Sequence, residues 1–216
     1  MNRKQRRVEA RLGQRGRAAG GVAAPIARWF GAALAHHRGG RAVEAERVCS
    51  EILSVAPGHA QTLHLLGLVE HQNGRSDEAI EHIRMAIMRD GRDPAFHHNL
   101  GNILRALDRL GEAVSCYERA LALAPASVDT LYNLGNTYQD LGQPERAAAY
   151  FERALRLNPE AIELHNNLGT ALQDLGRLDE AISCCRKALA LRPDLVESLD
   201  NLADYLDELQ SKDKAP

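Results

Sequence analysis

Residues 128–161 read VDTLYNLGNTYQDLGQPERAAAYFERALRLNPEA, and the next 34 residues follow the same pattern. A Leu-Gly pair occurs at Leu134-Gly135 and again, 34 residues later, at Leu168-Gly169. Two earlier pairs keep the same spacing, at Leu66-Gly67 and Leu100-Gly101. Four occurrences at one spacing indicate an internal repeat, which predicts a fold of stacked units rather than one globular core.

Small residues recur in other columns when this glycine is numbered 8 in each unit. Alanine occupies positions 20 and 27 of all four units, and position 15 is glycine in all but one, where Asp108 stands. Each unit has the apolar spacing of two amphipathic helices, with the turn at position 15. Glycine there supplies a left-handed backbone, and the small residues predict helices packed so closely that bulkier side chains would clash.

The repeat register divides the chain into five units between two ends. We expect an unstructured basic arm, a degenerate first unit, four full units, and a capping helix with an acidic tail, at residues 1–25, 26–59, 60–93, 94–127, 128–161, 162–195 and 196–216 respectively.

These columns closely resemble the tetratricopeptide repeat family. The resemblance implies an all-α, right-handed superhelical solenoid of antiparallel helix pairs. Among such proteins, the segments HHNLGN (97–102), YNLGNTY (132–138) and HNNLGTAL (165–172) are most similar to the repeat arms of O-linked N-acetylglucosamine transferases and their bacterial relatives.

The resemblance also implies a concave groove lined by the first helix of each unit, at positions 2, 5, 6, 9, 12 and 13. Such grooves bind extended peptides or partner helices. The peptide-binding residues predicted on this basis are His64, His71, His98, Asn99, Asn102, Arg105, Tyr132, Asn133, Asn136, Gln139, Asn166, Asn167, Thr170, Gln173 and Asn201.

Asparagine recurs at position 6, as Asn99, Asn133, Asn167 and Asn201. An amide both donates and accepts hydrogen bonds, so a row of amides can hold a peptide backbone without reading its sequence. The alternative is that these asparagines satisfy neighbouring helix groups or lie in water. The groove positions also become acidic towards the C-terminus, which would steer a basic ligand or simply solvate a terminal cap.

The two ends differ in charge from the rest of the chain. Residues 1–20 carry seven basic side chains and one acid, whereas the whole chain has a net charge of −2. A solvated arm is the ordinary interpretation of this block, with contact to nucleic acid or an anionic membrane as the less favoured alternative. No apolar run reaches the length of a membrane span or a signal peptide, so the expected location is the cytoplasm, with reduced cysteines.

Catalytic motifs are missing from the sequence. It has no phosphate-binding glycine loop, no nucleophile elbow and no C-x-x-C spacing. His64, His71 and His98 lack an acidic or cysteine partner at metal-ligand spacing, and Cys184-Cys185 is expected to be buried and inert. We therefore predict a non-catalytic protein-interaction scaffold without cofactor, metal or small-molecule substrate. The alternative is the substrate-recognition arm of a protein O-glycosyltransferase or other group-transfer system.

Overall fold

A computed structural model describes residues 23–213, and within that range every regular element is an α-helix. The helices are α1 (Ala23–Arg38), α2 (Ala42–Val55), α3 (Ala60–Gln72), α4 (Ser76–Arg89), α5 (Pro94–Ala106), α6 (Leu110–Leu123), α7 (Val128–Asp140), α8 (Pro144–Leu157), α9 (Ile162–Asp174), α10 (Leu178–Leu191) and α11 (Val196–Asp213). The predicted basic arm lies outside the described residues except for residues 23–25, which belong to α1.

The chain divides into two compact units, one ending at Ile103 and the other beginning at Leu104. In the first unit, α1 packs on α2, α2 on α3, and α3 on α4. In the second, neighbours from α6 to α11 pack in the same consecutive way, and α9 also contacts α7 and α11. This arrangement of successive helix pairs confirms the all-α repeat fold.

The first helices begin where the sequence register places the start of each unit. Ala60, Pro94, Val128, Ile162 and Val196 are the first residues of α3, α5, α7, α9 and α11. Two of these starts are capped by side chains, because His59 Nδ1 accepts from the Thr62 amide and Ser127 Oγ accepts from the Thr130 amide, each at 3.3 Å. Caps of this kind satisfy amide groups that have no partner within the helix.

The turn at position 15 is left-handed in every described unit. The glycines at this position have φ between 66° and 79°, and Asp108 adopts a φ of 57° in the same place. Asp108 is the only described residue other than glycine with positive φ. The turn therefore imposes its backbone conformation even where the sequence does not supply glycine.

Asp108→Gly is expected to stabilise the protein by about 1 kcal/mol. Glycine relieves the cost of a left-handed L-residue, and the change removes a negative charge from the C-terminal end of α5, where carbonyl groups already concentrate negative potential. The check is the urea midpoint, with Gly142→Asp as the matched control, which should lower it. Equal midpoints for wild type and Asp108→Gly would contradict the strain.

The alanine columns lie where the two helices of a unit meet. Ala79, Ala147 and Ala181 at position 20 are fully buried. A Cβ atom added to Gly67 would lie 2.8 Å from the Ala79 carbonyl oxygen, which is too close for van der Waals contact. The predicted close approach of paired helices is therefore present in this unit.

The cysteine pair is buried, as the sequence predicts. Cys184 and Cys185 are 6% and 0% exposed, and burial raises the pKa of the Cys185 thiol to about 11. Burial is also the main cause that raises the pKa of Cys49 to about 12. Since the thiolate is the reactive form, these thiols are unreactive at neutral pH.

Candidate peptide-binding surface

We call the predicted groove residues of the first helices the first-helix stripe, and we describe it separately in each compact unit. In the first unit, the stripe joins α3 to α5 through His64 and Asn99. Asn99 Nδ2 lies 2.9 Å from His64 Nε2, and because an amide nitrogen only donates, the imidazole nitrogen accepts. The two predicted residues therefore lie together, but they are bonded to one another.

The His64 ring is held neutral by its surroundings. It lies against Phe96 with 4.6 Å between ring centroids. Burial, the largest cause, lowers the pKa of His64 from 6.5 to about 4, with Asp93 opposing that shift and His37 adding to it. A neutral ring keeps Nε2 available as the acceptor for Asn99.

The other predicted histidines of this unit do not assemble a metal site. His71 Nδ1 lies 2.9 Å from Ser76 Oγ, while His98 and Asn102 are half-buried on α5. Among the residues that the structure describes, no group of three histidine, cysteine, aspartate or glutamate side chains is arranged to hold a metal ion.

In the second unit, side-chain hydrogen bonds connect adjacent first helices along the stripe. Asn167 Nδ2 on α9 donates to Asn136 Oδ1 on α7 at 2.7 Å. Gln173 Nε2 on α9 donates to Glu208 Oε2 on α11 at 3.1 Å. These bonds place the predicted residues of α7, α9 and α11 on one continuous face.

An ion pair extends this face to the end of α5. Arg105 Nε donates to Asp140 Oδ2 at 2.8 Å, and both side chains are about one third exposed to two fifths exposed. A charged pair at this exposure contributes at most about 1 kcal/mol. Its importance here is that it fixes the direction of Arg105 across the first helices.

Asn166 does not belong to the accessible stripe. Its side chain is 2% exposed, and its Oδ1 accepts from Ser198 Oγ at 2.6 Å. The sequence prediction that places Asn166 in the groove is corrected, because its amide is committed to the contact between α9 and α11. Sequence reasoning missed Ser198, although buried threonines at the same repeat position, Thr62 and Thr130, offered a signal.

The remaining predicted residues of the second unit are half-buried. Tyr132 lies 6.3 Å from Phe151 between ring centroids, and Thr170 Oγ1 donates to the Asn166 carbonyl at 3.3 Å. The others of this group are Asn133, Gln139 and Asn201. Each is accessible enough to contact a bound chain in part.

The acidic end of the stripe contains both paired and unpaired carboxylates. Asp140 is paired with Arg105, and Glu208 accepts from Gln173. Four exposed acids have no ion pair within the described part of the chain: Asp174, Asp200, Asp204 and Asp207. The structure thus locates the unpaired negative charge on α11 and at the end of α9.

The described helices are too short or too polar to span a lipid bilayer.

Sequence models of the tetratricopeptide repeat match residues 60–93, 94–160 and 132–196. Over 85 residues, the chain is 31% identical to the N-terminal acetyltransferase A complex auxiliary subunit NAA15 of Arabidopsis thaliana. This match covers 39% of the chain and 10% of NAA15, so the chain corresponds to about a tenth of that relative.

Solved structures agree with the sequence models. MamA is 25% identical, with a TM-score of 0.70 over 74% of this chain and 94% of MamA. YrrB, described as a TPR protein with an unusual peptide-binding site, is 17% identical, with a TM-score of 0.70 over 80% of this chain and 89% of YrrB. These matches carry the resemblance to tetratricopeptide repeats, and they do not extend it to glycosyltransferase arms.

Proposed function

The chain belongs to the tetratricopeptide repeat family, and from that premise we propose that it is a non-catalytic protein-interaction scaffold whose first-helix stripe binds an extended peptide. The observation that carries the proposal is the continuous polar face of α7, α9 and α11. NAA15 is named as an auxiliary subunit of a complex, and YrrB is described with a peptide-binding site, which supports the same class of function.

The amides of this face retain hydrogen-bonding capacity after their mutual contact. Asn167 uses one of its two amide hydrogens on Asn136, so its second hydrogen and its oxygen remain available. Asn136 likewise keeps both amide hydrogens. A peptide backbone, which offers alternating donors and acceptors, matches this supply and needs no particular side chains.

We further propose that the bound peptide is basic at the end that lies over α11. The exposed carboxylates of Asp200, Asp204 and Asp207 have no cationic partner within the described residues. Complementary charge increases the association rate and fixes the direction of a bound chain, and it makes binding weaker at high salt.

The test uses peptides selected from a random library displayed on phage against the full chain. Their affinities are then measured by calorimetry for wild type and for the triple variant Asn99→Ala, Asn133→Ala, Asn167→Ala. We expect binding to weaken by at least about tenfold, because each lost hydrogen bond costs on the order of 1 kcal/mol. The selected peptides should also be rich in lysine and arginine.

The matched control replaces two asparagines in exposed loop positions, Asn73→Ala and Asn158→Ala. This variant should bind the peptides as wild type does, and circular dichroism should show that all three proteins keep the same helix content. Peptides that bind wild type and the triple variant equally would overturn the role of the first-helix stripe.

A recognition arm of a protein O-glycosyltransferase is the second function that the sequence suggested. The match to NAA15 covers too little of that protein to carry over its complex, and no contact described above favours transfer chemistry. The scaffold is therefore the better-supported proposal. We place it in the cytoplasm, in line with its buried, unreactive thiols.

A further inference from the structure

A surface cleft of about 630 Å³ opens in the second compact unit between α8 and α10, beside the first half of α9. Apolar side chains, including Leu155, Leu168 and Leu191, share its lining with the charged side chains of Arg156, Lys187 and Glu152. The cleft is formed largely by second helices, so it is separate from the first-helix stripe. Its volume is within the range of sites that bind small ligands or single side chains of a partner.

The preceding repeat shows how this position can be closed. Arg153 lies 34 residues before Lys187, and its guanidinium donates to the Pro125 carbonyl at 2.9 Å. That bond holds a long cationic side chain across the gap between α8 and the loop before α7. Leu131, at the next contact position, has no donor and leaves the carbonyl to Arg153.

The repeat that contains the cleft assigns the equivalent carbonyl differently. Pro159 takes the place of Pro125, and its carbonyl oxygen lies 2.9 Å from His165 Nε2, so the ring nitrogen donates to it. Because the imidazole occupies this acceptor, Lys187 has no corresponding partner. Lys187 makes no hydrogen bond or ion pair within the part of the chain that the structure describes.

A second difference between the repeats provides space. Arg156 of α8 corresponds to Ala190 of α10, and Ala190 lines the cleft. Alanine removes the five-atom guanidinium-bearing extension that the previous repeat carries at this position. The cleft is therefore open because one long side chain is shortened to alanine and another lacks its anchor.

The charges that line the cleft indicate the chemistry of its occupant. Arg156 and Lys187 are exposed, and neither has an ion pair among the described residues, while Glu152 is the one acid of the lining. Two cations beside apolar side chains complement a carboxylate adjacent to a large apolar side chain. We propose that the cleft is a second docking site, which binds an extended partner segment through an apolar residue flanked by acidic ones.

The experiment titrates the full ¹⁵N-labelled chain with the peptide acetyl-Glu-Leu-Phe-Glu-amide and follows amide chemical shifts by NMR. We expect saturable shifts at the amides of Leu155, Leu168 and Lys187, and none at Asn133. The peptide acetyl-Lys-Leu-Phe-Lys-amide should bind at least about tenfold more weakly, because its charges are repelled by the two cations. Equal binding of the two peptides would overturn the charge argument.

Ala190→Arg restores the long side chain of the preceding repeat and should weaken binding of the acidic peptide by at least about tenfold. Ala122→Arg is the matched control, since Ala122 is exposed at the same repeat position but lies outside the cleft lining. It should bind as wild type does. The absence of saturable shifts at millimolar peptide, or unchanged affinity in Ala190→Arg, would overturn the proposal without affecting the first-helix stripe.

Discussion

Gly135→Ala is expected to destabilise the protein by about 1–3 kcal/mol, whereas Gly169→Ala, at the same repeat position, should be neutral or stabilising by up to about 1 kcal/mol. A Cβ atom on Gly135 would lie 2.5 Å from Cε1 of Phe151. Phe151 is fully buried, so its ring has no free space into which to move. Strain in α7 and α8 then exceeds the gain in helix propensity.

Gly169 meets different neighbours although its column is the same. The atoms nearest to an added Cβ are Tyr205 Oη at 3.4 Å and Tyr205 Cε2 at 3.5 Å, which are ordinary contact distances. Position 24 of this unit is Cys185, where the preceding unit has Phe151. With no steric conflict to relieve, the substitution retains the advantage of alanine over glycine inside a helix.

The measurement is the free energy of unfolding in urea for wild type and both variants. A double-mutant cycle adds Phe151→Leu, since Gly135→Ala should cost less in that background if the ring causes the strain. Equal destabilisation by Gly135→Ala and Gly169→Ala would show that the glycine column is required for a reason other than the size of the side chain at position 24.

This pair of glycines illustrates how far the sequence predicts the fold. The 34-residue spacing predicted where each first helix begins, and the glycine at position 15 predicted a left-handed turn that Asp108 also adopts. The clash predicted for the glycine at position 8 is present at Gly67 and Gly135 but not at Gly169. A column describes one position, whereas a steric contact depends on the side chain opposite it.

The candidate site divides in the same way. Helical periodicity predicted that the stripe residues share a face, and the bond from Asn167 to Asn136 shows that these two do. Periodicity does not show which amides bond to each other. Asn166 stands at the same repeat position as the half-buried Tyr132, yet it is buried, because Ser198 of α11 supplies a hydroxyl donor against it.

Acidification from pH 6.5 to pH 4 is expected to reduce the stability of the protein through His64 by up to about 3 kcal/mol. Burial lowers the pKa of His64 from 6.5 to about 4, so the unfolded chain binds a proton in this interval that the folded chain does not. The contribution is therefore fully present above pH 6.5, decreases as the pH falls, and decreases no further below about pH 4. Protonation also ends the ability of Nε2 to accept from Asn99.

His64→Gln isolates this effect, because the glutamine amide oxygen can accept from Asn99 but does not titrate. Its free energy of unfolding should depend less steeply on pH between 6.5 and 4 than that of wild type. Some dependence should remain, since burial also lowers the pKa of His59. The direct measurement is the NMR titration of the His64 ring in the folded protein. A midpoint near 6.5, or identical pH slopes for the two proteins, would show that His64 is not held neutral by burial against Phe96.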